Sequence, residues 1–338
     1  LVAGSRTVKN LKGFGSLSLG KHLGFQTEFC EQPSEKSLLT RRLIRLVVVL
    51  VGVSVVTFSI LQVSGDPVSL MMPEAPESDR AVLRQAMGFN DPLPVQFARF
   101  VRNIARGDFG QSFFHREPAL PLVMQRMPTT LLLTVLAMAL SLGLALPIGI
   151  VSAVRRNSVV DHGATLLVFL GTSMPVFWTG IMLILLFAVQ LRWLPVSGWE
   201  SWAALVLPAA TLATFSTPLL LRIVRSSMLE VINLDYVRTA RAKGVSEWFV
   251  ICRHALTNAA LPLVTVAGLQ FGLLLGGAVI TETVFAVPGV GRLIVGAIRQ
   301  LDFPIVQAGV FLLALIIVLV NFVVDVLYIY LNPQIRVR

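Results

Sequence analysis

The chain has 338 residues, of which 55% are apolar and only 14% charged, with a mean hydropathy of +0.78. This balance excludes an ordinary water-soluble domain and points to a membrane protein. The formal net charge of +10 raises nucleic acid as a partner, but most of the basic residues fall in a tail, short loops and span ends that share one side of a bilayer. The excess therefore reads as membrane topology and not as a nucleic-acid footprint.

Residues 1–42 are rich in Gly, Ser and Lys without sustained periodicity, and are expected to be a poorly ordered tail. The tail contains Gly15-Ser16-Leu17-Ser18-Leu19-Gly20-Lys21-His22, close to a phosphate-binding loop. However, His22 stands where a Ser or Thr hydroxyl would hold Mg²⁺, and no strand leads in, so nucleotide binding by this chain is not expected. Two cysteines, Cys30 and Cys252, supply neither a disulfide framework nor a metal-ligand spacing.

Six uncharged apolar runs follow, at 46–63, 129–154, 163–191, 201–221, 255–281 and 303–324. Each approaches or exceeds the roughly 20 residues a helix needs to cross a ~30 Å hydrocarbon layer. The reading is an all-α membrane protein with six transmembrane helices: the first at 43–64, an external subdomain at 65–128, and the remaining five in a core at 129–338. The first span is expected to be an uncleaved anchor, because Gln62-Val63-Ser64-Gly65-Asp66-Pro67 does not look like a small-residue cleavage site. Arg41, Arg42, Arg45, Arg155, Arg156, Arg222, Arg225, Arg238, Arg241, Lys243, Arg253, Arg336 and Arg338 fall on one side, against Arg192, Arg292 and Arg299 on the other, with Arg80, Arg116 and Arg126 added from the ends of the long loop. This asymmetry places both termini in the cytoplasm.

Within 65–128, Pro94 to Arg106 reads as an amphipathic helix with Val95, Phe97, Phe100, Val101 and Ile104 on one side, ended by Gly107-Asp108-Phe109-Gly110. Pro147 in the second span, and Gly171, Met174-Pro175 and Gly180 in the third, are breakers that a membrane tolerates only where protein or a wet cavity re-satisfies the freed carbonyls. Trp193, Trp199 and Trp202 read as an interfacial aromatic belt. In span five Gly268, Gly272 and Gly276 recur every four residues, the spacing of close helix packing. Asp325, the acid deep in span six, is expected to form an ion pair with Arg222 or Arg225.

Between spans four and five lies a charged, helix-favouring stretch inside the loop 225–260: Asp235, Tyr236, Val237, Arg238, Thr239, Ala240, Arg241, Ala242, Lys243 and Gly244. Its alanines and arginines are good helix formers, and Gly244 suits a helix end. Tyr236, Val237, Ala240 and Gly244 share one face, a small apolar surface suited to a groove. A basic amphipathic helix lying on anionic headgroups is the plainer reading of the same pattern.

This stretch resembles the cytoplasmic EAA loop of the membrane subunits of bacterial ABC importers. Arg238, Thr239, Ala240 and Gly244 stand where the generic motif has Glu, Ala, Ala and Gly. The departures resemble the dipeptide and oligopeptide (peptide/nickel) branch, as do the runs Thr281-Glu282-Thr283-Val284-Phe285-Ala286-Val287-Pro288-Gly289-Val290-Gly291-Arg292 and Leu331-Asn332-Pro333-Gln334-Ile335-Arg336. The resemblance implies a type I ABC importer permease fold in the bacterial inner membrane, with a small external helical insertion between helices 1 and 2. It also implies a homologous second permease, two cytoplasmic ATPase subunits that bind the ATP and Mg, and an external solute-binding protein. On that reading this chain binds no cofactor and no metal, residues 235–244 couple the ATPases to transport, and Thr265, Gln270, Gly272, Gly276 and Asn321 are candidates for the translocation path. An ion-gradient-driven secondary transporter is the alternative; it requires inverted repeats and coupling-ion residues that the spans do not show.

Overall fold

The computed structural model describes residues 35–63, 68–69, 74–86 and 88–331. The Gly-Lys-His run of the tail, Cys30 and the terminal Asn-Pro-Gln motif lie outside the described residues. Residues 1–41 and 42–338 form separate units, and the first is described only in the opening turns of α1. Among the described residues the chain is helical apart from one isolated bridge between Gln111 and Pro118.

Helix α1 runs Glu35–Val63, α2 Glu77–Ala86, α3 Leu93–Ile104 and α4 Ala119–Val154. Then come α5 (Val159–Ser173), α6 (Val176–Gln190), α7 (Trp202–Val231), α8 (Asp235–Ala242), α9 (Glu247–Val284), α10 (Val290–Arg299) and α11 (Phe303–Leu331). Helix α9 is continuous but opens with a π-helical stretch at Val250–Ala255.

Four helices are long and apolar enough to cross a bilayer: α4, α7, α9 and α11. The α5–α6 pair makes a fifth crossing if it is taken as one span. This does not reach the six expected. In α1 the apolar stretch Leu46–Ile60 lies within a helix that continues to Val63. The run at 163–191 is not one rod, because α5 and α6 meet at 108°. Pro175 lacks an N–H and forces Met174 into an extended conformation (φ −96°, ψ 129°), which ends α5 there. By contrast Pro128, Pro147, Pro208, Pro218 and Pro262 all lie inside unbroken helices.

The most covered helix is α7, with 67% of its most apolar stretch buried against 33% for α4. Small side chains make this possible: Ala204, Ala209, Ala213 and Ser216 are all buried. Lipid tails are as apolar as a leucine, so association between spans relies on close packing and polar contacts. Ser141 of α4 supplies one such contact, meeting the Ser216 hydroxyl at 2.5 Å and donating to the Ala213 carbonyl at 3.3 Å.

The glycine stripe of α9 packs against α11. A Cβ at Gly268 would lie 2.4 Å from Val324, and one at Gly272 would lie 3.2 Å from Ile317. Gly276 faces open space. Among the tryptophans, Trp193 and Trp202 are exposed, whereas Trp199 packs against the core. Helix α3 leans on α1 through Phe97 and Phe100, whose rings lie 5.4 and 5.7 Å from Phe58, while Val95 and Val101 stay exposed. Gly107, in the left-handed region at φ +76°, ends α3 as expected.

Two buried carboxyl groups fix the loops between helices. Glu282, near the end of α9, is fully buried and receives the Thr130 hydroxyl at 2.6 Å and the Arg292 N–H at 3.0 Å. Thr130 in turn accepts the Val290 N–H at 2.9 Å, so Glu282 and Thr130 together cap the start of α10. Asp302, also fully buried, accepts from the Ser112 hydroxyl and from the N–H groups of Phe113 (3.2 Å) and Phe114 (3.4 Å). It thereby staples the segment before α4 to the start of α11.

Gly268→Leu is expected to destabilise the protein by about 1–3 kcal/mol through overpacking against Val324, whereas Gly276→Ala is expected to be neutral. Thermal unfolding of the two variants in detergent checks the contrast; equal midpoints would remove the α9–α11 contact as a stability determinant.

Candidate functional site

The charged stretch folds as expected into a short helix. Asp235 sits in the first turn of α8, where an acid complements the helix dipole, and Arg241 sits in the last. The helix stops at Gly244, at φ +76°, with open space around the place a Cβ would occupy. The Gly244 N–H donates to Arg241 O at 2.9 Å and the Val245 N–H to Ala240 O at 3.4 Å, the paired bonds of a Schellman ending.

The apolar face is smaller than the wheel suggested, and it is already covered. Val237 and Ala240 are buried against Val250, with Val231 and Val245 packed around them. Tyr236 remains on the surface, accepting from the Asn258 amide at 2.8 Å. The groove that receives the apolar face therefore comes from the ends of α7 and α9 of this chain. What α8 presents outward is Asp235, Arg238, Thr239 and Ala242. Arg238 and Asp235 approach to 3.7 Å with side chains 69% and 97% exposed, so their attraction is mostly screened. Arg241 instead makes a two-pronged pair with Glu247 at 2.7 and 3.1 Å. That hydrogen-bonded carboxylate holds the guanidinium pKa above its usual value.

Of the residues expected along a path, Gln270 and Gly272 are buried, Thr265 and Gly276 are exposed, and Asn321 is intermediate. A cavity of about 350 Å³ is lined by other residues, among them Arg126 and Arg292. Among the described residues no cluster of His, Cys, Asp or Glu is placed to hold a metal.

The Asp325 side chain lies outside the described residues, and Arg225, one of its expected partners, is engaged elsewhere. Arg225 clasps Asp161 at 2.6 and 2.9 Å. Asp161 is 4% exposed and also receives the Ser152 hydroxyl at 2.5 Å and the Asn157 N–H at 3.0 Å. This joint between α4, α5 and α7 was missed by the sequence reading. Its local signal is Ser158-x-x-Asp161, where Ser158 caps α5 by accepting the Asp161 N–H at 3.3 Å.

A bundle of apolar helices with small-residue contacts, one span broken by proline and a short polar helix held between two crossings defines a multi-pass membrane protein. Comparison with known proteins assigns its family. Residues 145–337 match the model described as binding-protein-dependent transport system inner membrane component, and residues 36–134 match the corresponding N-terminal model. The chain is 41% identical over 308 residues to the probable peptide ABC transporter permease protein y4tP of Sinorhizobium fredii, covering 88% of this chain and 98% of that protein. It is 41% identical over 300 residues to the glutathione transport system permease protein GsiC of Escherichia coli, with the same coverage. The di/tripeptide transport system permease protein DppB of Pseudomonas aeruginosa is 40% identical over 332 residues, covering 89% and 98%. Among solved structures, an inward-facing form of the MetNI methionine ABC transporter shares the fold, with a TM-score of 0.54 at 20% identity over 64% of this chain and 99% of that one.

The chain thus belongs to the family of binding-protein-dependent transport system inner membrane components, as the membrane permease subunit of an ABC importer.

Asp161→Ala leaves Arg225 and Ser152 without their acceptor inside the protein, and is expected to lower stability by on the order of 1–3 kcal/mol. Thermal unfolding of the purified protein reads this; an unchanged midpoint would mean that the α4–α5–α7 joint holds without the pair.

Proposed function

We propose that this chain, with a homologous second permease, forms the path for uptake of di- or oligopeptides, driven by two ATPase subunits that bind ATP and Mg and supplied by an external solute-binding protein. Support for the substrate class comes from the relatives, whose names specify peptides, glutathione and di/tripeptides. The asymmetry of Arg and Lys supports cytoplasmic termini and a cytoplasmic α7–α9 loop. In this reading the fold is the type I importer permease with six crossings. Helix α1 completes the first with residues beyond its apolar centre, the α5–α6 pair makes the third, and the segment carrying α2 and α3 is external.

The observation that carries the mechanism is the mounting of α8. Its buried face is clamped between Val231, at the end of α7, and Val250, at the start of α9. Helix α9 continues without a break from Glu247 to Val284. A force applied to the outward residues Asp235, Arg238, Thr239 and Ala242 therefore reaches two membrane crossings through packed side chains, without a slack linker. ATP-driven closure of the ATPases pushes on α8, shifts α7 against α9 and alternates access to the path. Thr265, Gln270, Gly272, Gly276 and Asn321 remain candidates for residues that face the moving solute.

The test uses the outward residues, because Ala240→Asp would unpack the loop itself. In proteoliposomes holding the complete complex, Arg238→Glu and Ala242→Asp are expected to leave assembly intact, to cut ATP-dependent peptide uptake about tenfold or more, and to remove the response of ATP hydrolysis to the loaded binding protein. Unchanged uptake in both variants, or uptake that persists under an ion gradient without ATPase subunits, would sink the coupling assignment.

A further inference from the structure

Helix α5 is held to the bundle at few points. Of its 15 residues only Asp161 and Ala164 are buried. Leu166, Leu167, Phe169 and Leu170 are exposed, and in a bilayer such side chains gain little by leaving lipid for protein, so they do not fasten the helix. What fastens it is α7. At the start of α5, Asp161 takes two prongs of the Arg225 guanidinium at 2.6 and 2.9 Å, and Ser152 of α4 and the Asn157 N–H complete its set of donors at 2.5 and 3.0 Å. Two bonds from a planar fork fix the orientation of the partners as well as their distance. Near the other end, Gly171 lets α5 lie directly on α7: a Cβ there would come within 2.5 Å of Pro218 and 3.2 Å of the Thr214 carbonyl oxygen. These two anchors are about 15 Å apart along α5, and they meet positions 225 and 218 of α7 in reverse order. Helix α5 therefore lies antiparallel along α7 and is gripped near both ends.

The helix that grips it is the one that runs into α8. Arg225 lies in the last two turns of α7, and Val231, the last residue of α7, packs on the buried face of α8. A movement that enters at α8 reaches Arg225 inside the same rigid element. The contact of Gly171 with Pro218 is a close approach without direction, and by itself it would let α5 slide or roll on α7. The ion pair removes that freedom. Apolar side chains of similar size commonly stabilise a fold as well as a buried ion pair does, so what Asp161 and Arg225 supply is a fixed geometry. Just beyond Gly171, residues Thr172, Ser173, Met174 and Pro175 are exposed and the chain turns through 108° into α6. The break in this span therefore goes where α7 goes.

We propose that Asp161 and Arg225 are positioning residues of the transport cycle: the pair makes α5 travel with α7, so that the push delivered to α8 is carried to the break at Met174-Pro175 in the α5–α6 span. The inference rests on the coupling role of α8 given under Proposed function, and adds to it the route by which the movement enters a further crossing.

Two measurements on the complete complex test this. In nanodiscs, with Cys30 and Cys252 replaced by Ser, spin labels at the exposed positions Thr172 and Ser226 report the distance between the end of α5 and the adjoining end of α7. The parent is expected to give one narrow distance that is the same without nucleotide and with ATP trapped in the ATPase subunits. Asp161→Asn, which removes the charge at nearly constant shape, is expected to broaden it. A parental distance that shifts by several ångström between the two states would show α5 moving independently of α7 and overturn the inference. In proteoliposomes, Asp161→Asn and the double variant Asp161→Asn with Arg225→Gln, which leaves no charge unpaired, are expected to assemble and to keep an ATP hydrolysis that responds to the loaded binding protein, while peptide uptake per ATP hydrolysed falls about tenfold. A role in stability alone would lower uptake and hydrolysis together and leave their ratio at the parental value. That ratio in both variants would overturn the positioning role and leave the importer reading intact. Full uptake in Arg238→Glu and Ala242→Asp would instead overturn the coupling role of α8, and the route through Arg225 with it.

Discussion

A carboxyl group buried away from water must have its hydrogen-bonding needs met by the protein, because an unanswered buried charge costs several kcal/mol. Glu282, Asp302 and Asp161 are each at most 4% exposed, and the structure is arranged around satisfying them. Glu282 is met by the start of α10 and a hydroxyl from α4, Asp302 by the backbone of the loop before α4, and Asp161 by Arg225 and Ser152. Each acid joins segments far apart in sequence, where apolar helices alone would slide. The hydrophobic effect does not discriminate among packings inside a lipid layer, so these polar joints and the small-residue contacts are what give the bundle one arrangement.

The joints leave a division of labour. The four clear spans and the broken α5–α6 pair supply the bulk of the core, with α7 at its centre. The segments between spans are themselves structured: α8 by its contact with Val250, α10 by Glu282, and the loop before α4 by Asp302. Little of the described chain between Asp91 and Leu331 is a loose connection.

How much of this was readable in the sequence depended on the range of the interaction. The helix at 235–242 was legible because its signals are local: helix-forming alanines and arginines, an acid at the start and Gly244 at the end. The break at Met174-Pro175 was legible for the same reason, although its angle was not. The Asp161–Arg225 pair was not, since the partners are 64 positions apart and nothing in either neighbourhood names the other. Asp325 stands out in the sequence because it interrupts an apolar run, whereas Asp161 and Glu282 sit at span ends, where acids look ordinary. The apolar face of α8 was legible as a face but its cover was not, because periodicity says that something covers it and not what does.

The contact of Val237, Ala240 and Val250 with Val231 and Val245 amounts to a miniature core shared by the loop and the adjoining ends of α7 and α9. Such a core separates what holds the loop in shape from what the loop shows to its surroundings. Asp235, Arg238, Thr239 and Ala242 can be rewritten without disturbing the valines beneath them, so a lineage can retune this surface to a changed partner while the membrane part stays as it is. Change at the valines, by contrast, would be felt at once in both adjoining spans.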